Sequence, residues 1–388
     1  MDHSRVALIV GAGIGGLAAG VALQRAGWRV RVFERAASPR ELGFALNLAP
    51  NAMAALAELG LAAPVLAEGH KPMHAEVRRA NGCVLRRIDI SRWQSSARHP
   101  TVIALRPTVH GALLAAIAPE AIELESEAVD FALAGDRVRL TLRSGRSVEG
   151  DLLLGADGVR SAVRRRLFPD EPPPQPSRYA AVRGVSYEAA ACLGGLCAIL
   201  YLDRGIEAAA VKAGGTAVYW YMSLLTDDLP PGDRQPTGIV DFRTRDMEDV
   251  FRAIVLATKA QDFRFDDLMV RDPIDAWGHG PVTLLGDAAH PMLPHTGQGA
   301  AQAIEDAVAL GLALRNPDTF AALRTYERAR IPRTRRVVRS GPRIARVTTT
   351  RNPVIGWLRN TTIRMVPLAF VRAGLDRAGR HDPHRALR

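Results

Sequence analysis

The stretch Val6-Ala7-Leu8-Ile9-Val10-Gly11-Ala12-Gly13-Ile14-Gly15-Gly16 decides the fold of this 388-residue chain. Five apolar residues read as a buried strand. Gly11, Gly13 and Gly16 follow in G-x-G-x-x-G spacing and open a helical pattern through Leu17, Val21, Leu23 and Ala26 to Gly27. Arg29 to Glu34 then alternates as a second strand, so the opening is a β-α-β unit. Its turn suits a dinucleotide: Gly11 permits the tight turn, Gly13 lets the backbone approach a pyrophosphate, and Gly16 admits close helix packing. Glu34 ends the second strand 23 residues after Gly11, where a carboxylate accepts from ribose hydroxyls. That same charge repels a 2′-phosphate, which disfavours NADP as the resident ligand.

Working outward, 388 residues exceed one ordinary core, so two domains or an enlarged α/β domain are expected. Apolar residues at 47% and charged residues at 23% match a soluble globular chain and exclude disordered, collagen-like and coiled-coil classes. No apolar run is long enough to span a membrane, and Met1-Asp2-His3-Ser4-Arg5 enters the first strand without a leader-like pattern. A cytoplasmic location is expected. Cys83, Cys192 and Cys197 are an odd, scattered set that fits a reducing compartment and offers no metal-ligand spacing, so no metal site is predicted.

The formal charge of +11 invites a nucleic-acid reading. Its distribution argues otherwise. Residues 324–388 hold 17 arginines against Glu327, Asp376 and Asp382, a local surplus of +14 that leaves the rest of the chain at −3. Lys71, Lys212 and Lys259 are the only lysines. A nucleic-acid enzyme would more usually surround its active groove with the charge, together with exposed aromatics for stacking.

Helices are read over Asn51 to Leu59 and Pro107 to Ile117, and strands over Val129 to Leu133, Arg137 to Leu142 and Ser147 to Gly150, the last two joined as a hairpin through Ser144-Gly145. Leu152 to Leu154 leads into Gly155-Ala156-Asp157-Gly158-Val159-Arg160-Ser161. Five prolines between Pro169 and Pro176 mark a boundary, after which the chain is strand-rich to Asp275. Val282 to Leu285 enters Gly286-Asp287-Ala288-Ala289-His290-Pro291, then Pro294, Gly297-Gln298-Gly299 and a small-residue helix containing Ile304-Glu305-Asp306-Ala307.

These three motifs, in this order, resemble the single-component flavin-dependent aromatic hydroxylases, typified by p-hydroxybenzoate and salicylate hydroxylases and including zeaxanthin epoxidase. The resemblance runs from residue 6 to about 340. It implies an α/β fold: a Rossmann-like FAD-binding domain of glutathione-reductase type (1–72, 98–177 and 277–340), an antiparallel-sheet substrate domain (73–97 and 178–276) and a basic helical C-terminal segment (341–388). It implies FAD as cofactor, held by Gly11, Gly13, Gly16, Glu34, Arg35, Arg106, Asp157, Asp287, Gly297, Gln298 and Gly299. Asp157 and Arg160 would meet NADPH or NADH, visiting as transient reductant, since no second dinucleotide fingerprint occurs. The implied reaction is oxygen transfer from O2, through a flavin C4a-hydroperoxide, to an aromatic phenolic or polycyclic substrate. The alternative is an epoxidase or oxidoreductase acting on a lipophilic olefin.

Plainer readings stand beside several of these. Asp287 would also serve as a helix cap, Arg106 as an exposed first-turn arginine, and His290 as a bonded structural histidine. Ala301 replaces an Asn frequent in the family, which removes one side-chain contact to the flavin pyrimidine. Arg183-Gly184 is similar to a recurring Arg-Gly pair. In Thr216 to Leu225, Ala217, Tyr219, Tyr221 and Ser223 share one strand face and Val218, Trp220, Met222 and Leu224 the other; alternation alone does not say which lines a pocket. Tyr221 and His295 are weak candidates for a base toward a phenol. Residues 352–375 mix apolar and arginine positions as a basic interfacial helix does, with a kink at Pro367. Peripheral contact with an anionic membrane and simple packing on the body are both open.

Overall fold

The structure is a computed structural model that describes residues 5–38, 44–229, 238 and 243–379. The chain opens with β1 (Val6–Val10), α1 (Ile14–Arg25), β2 (Arg29–Phe33), β3 (Ala45–Leu48), α2 (Pro50–Glu58) and α3 (Ala62–Glu68). It continues through β4 (His74–Arg78), β5 (Val84–Asp89), α4 (Ser91–Ser96), β6 (Val102–Leu105), α5 (Arg106–Ala115) and β7 (Ile122–Glu123). Then come β8 (Ala128–Ala134), β9 (Arg137–Leu142), β10 (Ser147–Gly150), β11 (Leu152–Gly155), α6 (Ala162–Leu167), β12 (Gln175–Ser186), β13 (Ala198–Asp203), β14 (Ile206–Lys212) and β15 (Val218–Leu225). The described chain ends with α7 (Asp249–Leu256), β16 (Phe263–Val270), β17 (Val282–Leu284), α8 (Gly299–Ala313), α9 (Thr319–Thr348), α10 (Pro353–Met365) and α11 (Leu368–Gly379).

A parallel sheet in the order β17-β11-β1-β2-β7 forms the nucleotide body. Its central strands are buried on both faces, which is why β1 and β11 read as unbroken apolar runs rather than alternating ones. The small residues of α1 and α8 let the two helices pack closely: a Cβ on Gly311 would lie 2.8 Å from Ala22 Cβ. A three-stranded sheet, β10-β9-β8, flanks this body.

The second large sheet runs β16-β12-β15-β14-β13-β4-β5. Every junction is antiparallel except β13 with β4, which run parallel. No hairpin joins that pair: β4 arrives from residues 74–78, far upstream of β13, so the turn geometry that enforces antiparallel pairing is absent. One face carries Trp220, Met222, Leu224, Val182, Ala208 and Ala210 and is sealed by Phe251, Ile254 and Val255 of α7. The opposite face carries Tyr219, Tyr221 and Ser223 and meets residues of the nucleotide body.

The helix α9 is 30 residues long, contains Pro332 and Pro342, and continues without a break past position 341. Asn352 caps α10, its side-chain oxygen accepting from the Val354 and Ile355 amides at 2.9 and 3.2 Å. Val366-Pro367 separates α10 from α11, as a proline that cannot continue a helix requires. The arginine surplus of this region is partly neutralised: Arg324, Arg330, Arg333 and Arg335 pair with Glu327, Glu305, Asp306 and Asp275. Among the described residues no helix is long and apolar enough to cross a membrane.

Candidate active site

The three motifs converge at the C-terminal ends of β1, β11 and β17, the edge where open α/β sheets bind ligands. Gly11 has φ +103°, and a Cβ there would stand 2.6 Å from the Ala156 carbonyl oxygen. At Gly16 the added carbon would approach the Gly11 oxygen to 1.9 Å, so the helix packs on its own turn through that glycine. Gly13 differs: a Cβ would meet nothing within 4 Å, leaving an open backbone approach at the start of α1. His110 Nε2 donates to the Ala12 carbonyl at 2.8 Å and ties α5 to the turn.

Glu34 accepts from the Ala12 and Ala36 amides, at 2.9 Å each, which orients its carboxylate across the glycine turn. Each oxygen keeps a further lone pair for a hydroxyl. Arg35 is exposed and Arg106 half-buried at the first position of α5. Asp157 accepts from Ser161 Oγ at 2.5 Å and the Ala162 amide at 2.7 Å, so it also holds the start of α6; burial raises its carboxyl pKa against those bonds. Arg160 is exposed.

Asp287 lies in the turn after β17 and caps no helix. Its side chain is open to solvent while its backbone neighbours Gly286 and Ala288 are buried. Desolvation raises its carboxyl pKa, while His290 and Arg106 pull it back. Gly297 has φ +61° and faces Asn47; Gln298 precedes α8 and accepts from Asn51 Nδ2 at 2.9 Å; Gly299 begins the helix. A first turn with no capping side chain leaves its amides free to face a ligand. The glycine turn offers backbone donors and the Glu34 and Asp287 carboxylates offer acceptors, a pairing suited to a dinucleotide with its phosphates and sugar hydroxyls.

A model described as FAD binding domain matches residues 4–341. The chain belongs to this FAD-binding family. Its cofactor is therefore FAD. Over 376 residues the flavoprotein is 31% identical to aurachin C monooxygenase/isomerase from Stigmatella aurantiaca, covering 94% of this chain and 95% of that one. Over 351 residues it is 33% identical to 3-hydroxybenzoate 6-hydroxylase 1 from Aquipseudomonas alcaligenes, covering 86% and 87%. In fold it matches Klebsiella pneumoniae HpxO, solved with FAD and uric acid, at a TM-score of 0.90 and 22% identity over 98% and 97% of the two chains.

On β15, Tyr219, Tyr221 and Ser223 form the face turned toward the nucleotide body, while the Trp220 face is buried beneath α7. Tyr219 lies 6.4 Å from Phe44 and 6.1 Å from Tyr221, ring centre to ring centre. Ser223 Oγ and His295 Nε2 share a hydrogen bond of 2.9 Å, and Tyr179 packs edge-on against the same imidazole. Both weak base candidates thus occupy one face, but their chemistry differs. Burial, with Glu207 beside it, raises the Tyr221 phenol well above its ordinary pKa, so Tyr221 is a donor. Burial lowers the His295 pKa, so the ring is neutral and able to take a proton. Arg183 is engaged by Asp266 at 2.7 Å and lies over the Phe44 ring, and Gly184 makes room for Trp220 behind it.

Three features escaped sequence reasoning: the place of Arg164, the acidic partner of His290, itself read as a bonded structural histidine, and Glu207. Arg164, fully buried, donates to the Ala288 and Ala289 carbonyls at 3.0 and 2.8 Å and pairs with Glu171, locking two motifs together. His290 donates to Asp306 at 2.5 Å, and Arg330 bridges Asp306 and Glu305 at 2.6 Å each. Asp306 feels burial first, yet His290 and Arg330 hold its carboxyl down to about 2. Glu207 is the third: its one visible signal is a lone acid in the apolar run Ile206 to Val211.

Proposed function

We propose that this flavoprotein is a single-component monooxygenase that uses NAD(P)H and O2 to hydroxylate an aromatic small molecule, phenolic or polycyclic, seated on the Tyr219–Tyr221 face. One observation carries the placement: His295, two residues before Gly297, is bonded to Ser223 of that aromatic face. The ring-packing surface and the segment opening α8 therefore share one crevice. Bound FAD supplies the redox chemistry, accepting hydride from the nicotinamide and activating O2.

The chain's own groups bind, orient and move protons. The Gly11 amide is spent on the Phe33 carbonyl and the Ala12 amide on Glu34, so Gly11 supplies the tight turn while the Gly13 amide and the start of α1 would hold the pyrophosphate; Glu34 would hold the adenosine ribose with Arg35 beside it, and Arg106 the phosphates and ribityl chain with Asp287. Gly297, its own amide held by the Pro294 carbonyl at 2.8 Å, would position the turn so that the Gln298 and Gly299 amides and the α8 N-terminus hold the flavin pyrimidine and favour negative charge there. Ala301, buried as a methyl, adds no polar contact there. Asp157 and Arg160 meet the visiting nicotinamide cofactor. Tyr221 donates to substrate or to Glu207, and neutral His295 receives the proton of a phenolic hydroxyl. The domain reading follows: residues 1–72, 98–177 and 277–340 hold FAD, and 73–97 with 178–276 hold substrate.

The test is product mass after turnover with isotopically labelled O2, over phenols, quinolones, polyketides and terpenoids that stimulate NAD(P)H oxidation. One labelled oxygen in the product is expected, on a ring carbon for hydroxylation. Productive turnover without incorporated label refutes the reading.

A second inference concerns α10. Arg359 anchors the helix by donating to the Val347, Thr348 and Leu202 carbonyls, while Trp357 (64% exposed), Val354 (63%) and Met365 (75%) turn outward, with Phe370 (70%) just beyond. Arg364 on the same helix is exposed, and Arg351 just before the helix is exposed but paired with Asp228. We infer that residues 352–375 rest on an anionic membrane surface, apolar groups in the interface and arginines at the headgroups.

A further inference from the structure

We propose that Glu207 determines substrate choice: the pocket takes an aromatic ring carrying a neutral N–H or O–H donor and discriminates against aromatic carboxylates. This rests on the reading above that the Tyr219–Tyr221 face receives substrate.

Glu207 lies in β14, directly opposite Ser223 of β15, and is only 4% exposed. Its Oε1 accepts from the Tyr221 hydroxyl at 2.9 Å. Its Oε2 is buried and has no hydrogen-bond partner among the described residues. An unmatched buried carboxylate oxygen is expensive, and in native proteins such an atom is met by water, an ion or a ligand. On the same face His295 spends Nε2 on Ser223 and leaves Nδ1 buried without a partner. The face therefore presents one fixed acceptor and one neutral ring nitrogen that donates or accepts. That pair complements a phenolic hydroxyl or a ring N–H with a second polar atom nearby.

A carboxylate guest meets the opposite situation. Arg183, paired across β12 and β15 with Tyr221, is already bound to Asp266. Arg359, whose charge reaches Glu207, has its N–H groups taken by the Leu202, Val347 and Thr348 carbonyls and Asn360, so it tempers Glu207 from a distance and offers a guest carboxylate no fork of donors. Among the described residues no arginine or lysine is within ion-pair distance of Glu207. An anionic ring would thus place a second negative charge beside a partly desolvated first one, with no arginine or lysine among these free to pair with it directly.

The FAD-loaded enzyme is titrated with two matched pairs, 3-methylphenol against 3-hydroxybenzoate and 4-hydroxyquinoline against its 2-carboxylate, and binding is read from the flavin absorbance change. The neutral member of each pair is expected to bind at least about tenfold tighter, and Glu207→Gln, close in shape but uncharged, to shrink that ratio to about threefold or less. Equal binding of neutral and anionic partners by the wild type overturns the proposal, as does an unchanged ratio in Glu207→Gln. Tyr219→Ala separates the two levels of inference. Weaker binding of all four probes in Tyr219→Ala, with an unchanged ratio in Glu207→Gln, removes the Glu207 proposal alone. Unaltered binding in both variants, or no absorbance change with any probe, removes the substrate-face reading with it.

Discussion

The imidazole Nε2 of His290 lies 2.5 Å from Asp306 Oδ2, and neither residue is more than 3% exposed. Arg330 takes the other Asp306 oxygen at 2.6 Å, so one carboxylate joins the turn after β17 to α8 and α9. The Gly286 amide also donates to it at 3.2 Å. Asp306→Asn leaves Arg330 and His290 facing a neutral amide in the interior, and a loss of about 3–5 kcal/mol is expected. Chemical denaturation of the apoprotein measures it. The pH dependence has a definite sign. The Asp306 carboxyl, depressed to about 2, contributes stability above the ordinary aspartate pKa of about 4, and that contribution disappears as pH falls through about 2. Wild type should lose stability over that window more steeply than Asp306→Asn.

Gly13 and Gly16 separate cofactor binding from folding. A methyl at Gly13 meets open space, so Gly13→Ala should fold with an apoprotein melting temperature near that of wild type yet retain FAD poorly. At Gly16 the methyl collides with the Gly11 carbonyl at 1.9 Å, and Gly16→Ala should lose about 1–3 kcal/mol or more before any ligand is added. Apoprotein melting and flavin titration on both variants check this; equal FAD affinity in Gly13→Ala and wild type refutes the assigned role of the turn.

His295 should set the acid limb of turnover. Burial favours the neutral ring, so the histidine remains competent as an acceptor to pH values below its ordinary pKa of about 6.5. The profile of kcat/KM against pH for a phenolic substrate is expected to fall only below that range, and His295→Gln should lower kcat/KM by about 10²-fold while abolishing the limb. Persistence of the limb in the variant assigns it to another group.

The outward face of α10 should bind vesicles containing phosphatidylserine. Trp357→Glu with Leu358→Glu places two carboxylates on a surface that touches no core, so the fold and soluble turnover are expected to be unchanged while vesicle cosedimentation falls about tenfold or more. Equal cosedimentation of wild type and the double variant contradicts the membrane reading.

Legibility differed by the range of the interaction concerned. The β1-turn-α1 unit, Glu34 and the turns at 155–161 and 286–299 could be read because their glycines and acids answer local backbone geometry. The partner residues of Asp306 and Arg164 could not: Arg330 looked like one more arginine of a basic terminal region, and only its burial against α8 shows that part of the surplus charge belongs to the body. Glu207 was passed over because one acid in an alanine-rich strand has no local cause.

What the sequence by itself determined was the nucleotide-binding turn and the strand-rich character of the middle third, set by short-range periodicity and glycine placement, while the flavin family was legible only as a resemblance carried by three motifs in order. Which face of β15 is covered by helix and which is turned toward the nucleotide body was decided only in three dimensions. Alternation in a strand is symmetric between its two sides, and the symmetry is broken by α7 covering Trp220 and by His295 reaching Ser223. The same packing brings Glu207, Tyr221 and His295 together from distant parts of the chain, and no period in the sequence encodes that proximity.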